Sequence, residues 1–251
     1  GTVGKCSALP GVARVRRRAS LFVLLLSGCV SAPEIPPDIR RETRRVEVGR
    51  EDLAVDFYFR PGNTPRPLAV IAHGFLANKD RMAHWAVLLA GQGFLVAVPT
   101  KPTFANDDRN TAAIVGLVER GRSGRWPVPA RMDGRVALIG FSRGGYETIL
   151  AAAELGKVVD AWVGLDPVDR NGKGRVAAAQ AHAPGLALLA DPAPLNANGN
   201  ARGMLSAYAG SLEVVRVPGA GHLDAESPQR AGKFSAFERP VSEFLRRVFG
   251  M

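Results

Sequence analysis

Residues 135–147 read Arg-Val-Ala-Leu-Ile-Gly-Phe-Ser-Arg-Gly-Gly-Tyr-Glu, and the chemistry they could perform is nucleophilic attack by Ser142. An apolar run from Val136 to Ile139 stops at Gly140, turns through Ser142 and opens at Gly144 into residues compatible with a helix. A serine hydroxyl becomes a nucleophile when it is held clear of its own backbone, beside a base and near N–H donors. Gly-x-Ser-x-Gly between a strand and a helix meets the first condition. Glycines two residues to either side let strand and helix pass without side-chain collision.

The other parts of such a site are expected in a fixed order: an oxyanion donor upstream, then the serine, then an acid, then a histidine. The histidine candidate is His222, in Val217-Pro-Gly-Ala-Gly-His-Leu-Asp224, directly after the strand-like run from Leu212 to Val217. Glycines ahead of a histidine suit a loop that carries imidazole over the edge of a sheet. His73 belongs to the upstream loop and reads as structural, His84 sits beside Trp85 on a helical stretch, and His182 has no partner pattern. No histidine spacing matches a zinc motif, so neither a metal nor a cofactor is expected.

Two strand-like runs end in aspartate: Ala161 to Leu165 leads into Asp166, and Leu186 to Ala190 leads into Asp191. Either carboxylate could accept the imidazole N–H and fix its tautomer, and the residues alone leave both open. Asp169 and Asp224 are weaker candidates; Asp224 lies too near His222 in sequence to be an independent arm. The oxyanion donors are assigned to the backbone N–H groups of Phe75, after Val70-Ile-Ala-His-Gly74, and of Arg143, after the serine. The Phe75 ring reads equally as a platform for an apolar acyl or alcohol group and as an ordinary core residue.

Taken together, the chain resembles the α/β-hydrolase superfamily, and more narrowly chlorophyllase-like and dienelactone-hydrolase-like esterases. The resemblance is carried by Gly-Phe-Ser-Arg-Gly-Gly (140–145), Ala72-His-Gly-Phe75, Gly93-Phe-Leu-Val-Ala-Val-Pro99, Gly164-Leu-Asp-Pro-Val-Asp169 and Gly221-His-Leu-Asp224, and it covers about residues 45–250. It implies a serine esterase with a Ser142–His222–Asp166 triad, because chlorophyllases carry their acid in the Leu-Asp-Pro segment. Bacterial polyester and lipid esterases are similar over the elbow and oxyanion loop, but most place the acid nearer the Asp191 position. True dienelactone hydrolases use a cysteine nucleophile. Here the two cysteines are Cys6 and Cys29, so the folded domain has none to offer.

The positioning elements are legible as an alternation. Arg45 to Val48 and Leu53 to Arg60 suggest an antiparallel opening pair, and 61–67 is turn chemistry. Strands near 68–72, 94–98, 136–139, 159–165, 186–190 and 212–217 then alternate with helices near 80–92, 110–120, 145–155 and 240–249. Repeated strand–helix units predict an α/β class: a mostly parallel central sheet with helices on both faces and no large cap domain. Ser142, Asp166 and His222 would all emerge at its carboxyl edge. The stretch 166–184 is the only room for a small lid, so a shallow, open site is expected, suited to amphipathic or bulky esters.

The first residues form a separate object. Arg14, Arg16, Arg17 and Arg18 precede an uncharged run centred on Leu21-Phe-Val-Leu-Leu-Leu26, which ends Leu26-Ser-Gly-Cys29. This resembles a bacterial lipoprotein signal, with 1–28 removed before a lipidated Cys29, 29–44 as an extended tether and 45–251 as the catalytic domain. The run is too short to span a bilayer. An envelope protein facing the periplasm and held to the membrane by Cys29 follows from that resemblance.

The formal charge of +10 includes five cations within residues 1–28, so about +5 remains on the rest of the chain. These charges are dispersed, without aromatic interleaving, which argues against nucleic-acid binding. A 46% hydrophobic chain of 251 residues can bury one sizeable core, and a monomer is expected. An acyltransferase or thioesterase using the same triad, and a non-catalytic envelope protein on the same fold, are the alternatives.

Overall fold

The computed structural model describes residues 32–228 and 231–251. The leader segment and Cys29 lie outside the described residues. Among those described, no helix is long and apolar enough to cross a membrane.

Eight strands form one sheet: β1 (Arg40–Val48), β2 (Glu51–Phe59), β3 (Arg66–Ala72), β4 (Leu95–Pro99), β5 (Met132–Phe141), β6 (Ala161–Leu165), β7 (Gly185–Leu189) and β8 (Leu212–Arg216), in the spatial order β1-β2-β4-β3-β5-β6-β7-β8. All pairs from β4 to β8 are parallel; β1 and β2 are antiparallel to each other, and β2 to β4. Alternation along each strand serves two cores. Leu68, Val70 and Ala72 of β3 face one cluster with helices α2 (Asp107–Arg122), α3 (Arg143–Leu155) and α4 (Lys173–Ala178). Ala69 and Ile71 face the other, with α1 (Ala83–Gly91) and α6 (Ala231–Phe249). A short α5 (Arg202–Ser206) packs against α4. Burial on both faces is why the central strands read as continuous apolar runs.

Three boundaries differ from expectation. The first strand begins at Arg40, inside the 29–44 segment read as tether. Its opening residues alternate poorly, and polar anchors hold them instead: Arg41 Nη2 donates to Asp56 Oδ2 at 2.6 Å and Thr43 Oγ1 to Asp56 Oδ1 at 2.6 Å. The last helix starts at Ala231, not Pro240. Phe234, Phe237, Val241, Phe244 and Leu245 form one buried stripe across it, and that burial outweighs the backbone hydrogen bond Pro240 removes. The stretch 166–184 contains α4, which packs against α3 and α5.

Because β1 runs parallel to β4, with Arg40 opposite Phe59 of β2, the described chain enters at the amino edge of the parallel strands. The carboxyl edge, where β5, β6 and β8 release Ser142, Asp166 and the His222 loop, is the opposite one.

Candidate active site

Ser142 is the single residue between β5 and α3 and adopts φ 54°, ψ −120°, a positive φ that side chains avoid. Such a conformation costs about 1–3 kcal/mol and persists only when its surroundings dictate it. Here they do. Ser142 N donates to Leu165 O of β6 at 3.0 Å, and Ser142 O accepts from Gly145 N at 3.0 Å. The neighbouring glycines are required for close approach: a Cβ on Gly144 would lie 2.2 Å from Ala72 O, and one on Gly140 2.3 Å from Gly144 O.

The imidazole of His222 faces this hydroxyl. Its Nε2 is 2.8 Å from Ser142 Oγ and its Nδ1 is 2.6 Å from Asp166 Oδ2. All three side chains are buried. An ionised carboxylate only accepts, so Nδ1 carries the proton and the Nε2 lone pair faces the Ser142 hydroxyl. His222 opens a 3-10 turn, 222–225, tied down by Trp85 Nε1 donating to Ala225 O at 3.0 Å and by Arg81 Nε donating to Glu226 at 2.8 Å. The Phe141 ring lies against the imidazole, centroids 4.7 Å apart.

Asp166 is fixed independently of the histidine. Ala190 N donates to its Oδ1 at 3.0 Å, and Asn196 Nδ2 to its Oδ2 at 2.9 Å. Asp191 does not approach the imidazole: its Oδ2 accepts from Gly219 N at 2.8 Å, fastening the loop that leads to His222. Of the weaker candidates, Asp224 accepts from Gly221 N at 2.8 Å and Asp169 from Gly174 N at 2.9 Å, both local loop bonds.

Arg143 occupies the first position of α3, where a backbone N–H has no intrahelical acceptor, and Phe75 follows Gly74 just beyond β3. These are the two amides expected to meet an oxyanion. Their side chains are linked, with the Arg143 guanidinium 5.3 Å from the centre of the Phe75 ring. Phe75 is not a core residue. It is 54% exposed, and with Leu76 (53%) and Phe104 (59%) it forms an apolar rim.

That rim stands on a buried charge network. Arg143 Nε donates to Asp107 at 2.7 Å and its Nη2 to Ala105 O at 2.9 Å, with Phe104 O bound as well, so one side chain secures the loop between β4 and α2. Lys101 Nζ pairs with Glu147 at 2.8 Å, and Asn110 Nδ2 donates to Glu147 at 2.7 Å. Burial pushes the Glu147 carboxyl up and the Lys101 ammonium down, and their pairing opposes both.

His73 closes the same region. Its Nδ1 hydrogen bonds to Gly74 O at 2.9 Å and its Nε2 accepts from Lys101 N at 3.1 Å. Burial and then the Lys101 charge push its pKa down to about 3, so it is a neutral strut, as the sequence indicated. Sequence reasoning missed Asn196 and the Lys101–Glu147 pair. A glutamate on the helix that opens directly after the serine turn was a usable signal for the latter; Asn196, in the turn-rich Asn-Ala-Asn-Gly-Asn (196–200), had none.

A surface depression of about 570 Å³ lies between α2, α3 and α4, lined by Leu150, Val176 and Lys173 among others, and includes none of the triad residues. Behind Asp166 there is room for only about 20 Å³.

The sheet order, the strand–serine–helix turn and the acid and histidine loops at the carboxyl edge together define an α/β-hydrolase fold. The structure is similar to that of a dienelactone hydrolase from Anabaena variabilis ATCC 29413, with a TM-score of 0.69 and 21% sequence identity, over 84% of this chain and 98% of that one. No protein-family model and no curated protein matches the chain.

Proposed function

We propose that the protein is a serine hydrolase that cleaves carboxylic esters through an acyl-enzyme. The observation that carries the reading is the unbroken relay from Ser142 Oγ to His222 Nε2 at 2.8 Å and from His222 Nδ1 to Asp166 Oδ2 at 2.6 Å. In this reading His222 takes the Ser142 proton as Oγ attacks the ester carbonyl, and Asp166 holds the ring and balances the imidazolium. The amides of Phe75 and Arg143 receive the oxyanion. The tetrahedral intermediate collapses, His222 returns the proton to the leaving alcohol, and water enters by the same route to release the acid.

The exposed apolar rim supports an amphipathic or lipid-like ester as substrate, its carbonyl at Ser142 and its chain over Phe75, Leu76 and Phe104. The basic, apolar and Leu-Ser-Gly-Cys29 order of the first residues supports export and attachment to the envelope membrane through Cys29.

Incubation with a fluorophosphonate, beside a p-nitrophenyl ester series of increasing acyl length, tests the catalytic reading. Stoichiometric labelling and turnover, both abolished in Ser142→Ala, are expected. A folded protein that takes up no label at Ser142 would overturn it.

A further inference from the structure

Resting on the triad reading above, we propose that Asn196 is a positioning residue for the catalytic acid, fixing the Asp166 oxygen to which His222 donates. Asn196 is 1% exposed and all of its amide capacity is used. Its Oδ1 accepts from Ala193 N at 2.8 Å and from Gly199 N at 3.2 Å. Its Nδ2 donates to Asp166 Oδ2 at 2.9 Å and to Asp191 O at 3.0 Å. Two donors on one side and two acceptors on the other permit only this orientation of the amide.

Asp166 Oδ2 therefore receives two donors, Asn196 and His222, while Oδ1 receives Ala190 N. Without the Asn196 donor, the carboxylate keeps one backbone bond and can rotate about its Cβ–Cγ axis. The oxygen facing the imidazole is then held by the imidazole alone, and the relay loses the fixed end that orients the ring. The loop that delivers Asn196 is itself strained, with Ala197 and Asn198 at φ 50° and 55°, which marks a segment held in place by its surroundings.

The competing explanation is that Asn196 only closes its own loop. That role uses Oδ1 and the Nδ2 bond to Asp191 O; an aspartate oxygen caps Ala193 N and Gly199 N as well as an amide oxygen does, so the Asp191 O bond is the one loop contact the variant gives up. Asn196→Asp therefore keeps the cap and replaces the donor by a second acceptor pressed against Asp166. Thermal melting, kcat and KM on p-nitrophenyl butyrate from about pH 6 to 9, and the low-field proton resonance of His222 Nδ1–H are measured on the full chain.

The expected result is a folded variant whose kcat at high pH is about ten- to a hundredfold below wild type, the size of one hydrogen bond to a charged group. KM stays within about twofold, since no substrate contact is touched. The Nδ1–H resonance is displaced or lost at high pH. The deficit shrinks on acidification, because one carboxyl of a crowded pair takes up a proton and becomes a donor again. Wild-type kcat with an unmoved resonance would overturn the proposal. If Asn196→Asp does not fold, Asn196→Ala, which adds no charge, must show the same fall in kcat at constant KM, and wild-type kcat there overturns it equally. A wild-type protein that hydrolyses no ester refutes the esterase reading instead, and the resonance, which needs no substrate, still decides the role of Asn196.

Discussion

Asp166 and Asp191 leave neighbouring parallel strands at one edge of the sheet, yet their carboxylates serve different partners: Asp166 Oδ2 accepts from His222 Nδ1 at 2.6 Å, while Asp191 Oδ2 accepts from Gly219 N at 2.8 Å. One acts on the imidazole, the other on the loop that carries it. The two substitutions therefore separate. Asp166→Asn is expected to lower kcat by about 10⁴-fold with little change in fold, because an amide presents the wrong partner to Nδ1. Asp191→Ala, which removes the acceptor, is expected to lose less than about tenfold in kcat and about 1 kcal/mol of stability, the worth of one loop hydrogen bond. Steady-state kinetics beside urea denaturation checks both, and equal losses in kcat would contradict the division of labour.

The rim makes a prediction about substrate length. Phe75→Ala and Phe104→Ala each remove an exposed ring of the rim around Arg143 and leave both backbone amides in place. KM for a long-chain ester should rise about tenfold, in line with about 1–1.5 kcal/mol of apolar contact, with little change for the acetate. A uniform effect across chain length, read from the p-nitrophenyl series, would place the acyl chain elsewhere.

His73 ties stability to pH. Folded, its pKa lies near 3, because burial and the nearby Lys101 charge oppose protonation, while in the unfolded chain it titrates near the ordinary value of 6.5. Between those limits the unfolded state binds the extra proton, so stability falls as pH drops through 6.5 towards 3. From pH 6.5 to 5 this amounts to about 2 kcal/mol, and His73→Asn should show a correspondingly flatter dependence in denaturant titrations at the two pH values. Equal slopes in the two proteins would show that His73 takes up its proton in the folded state.

Gly144 tests the packing that creates the turn. A methyl there would sit 2.2 Å from Ala72 O and 2.6 Å from His73 O, both backbone atoms of the adjoining strand and loop, with no side chain to yield. Gly144→Ala should lose about 3 kcal/mol or more and label slowly with a fluorophosphonate, because α3 must withdraw from β3 and carry the serine with it. A melting temperature unchanged by the substitution would mean the contact is looser than described.

The parts of this site written as local pattern were legible in the chain. Ser142 announces itself by the glycines around it, and His222 by its place after the last strand. Strand and helix alternation was enough to predict the sheet and its carboxyl edge. What distinguishes Asp166 from Asp191 is not in the local pattern: both end a strand, and it was the resemblance of the Leu-Asp-Pro segment to chlorophyllases, not the residues alone, that pointed to Asp166. The start of β1 was hidden because Arg41 and Thr43 are held by a charge on another strand, not by alternating apolar residues. Pro240 concealed the first half of α6, although the stripe Phe234, Phe237, Val241 was present to be read. Asn196 left no trace, since its value lies in an amide completing bonds among residues far apart in sequence.

The entry of the chain opposite the triad has a mechanical corollary. Arg40 stands at the foot of the sheet and Ser142 at its head, so a support fastened close to the start of β1 would grip the molecule by its base. Moored in that way, the protein would turn its Ser142 edge outward, towards material arriving from the surroundings and away from its own mooring.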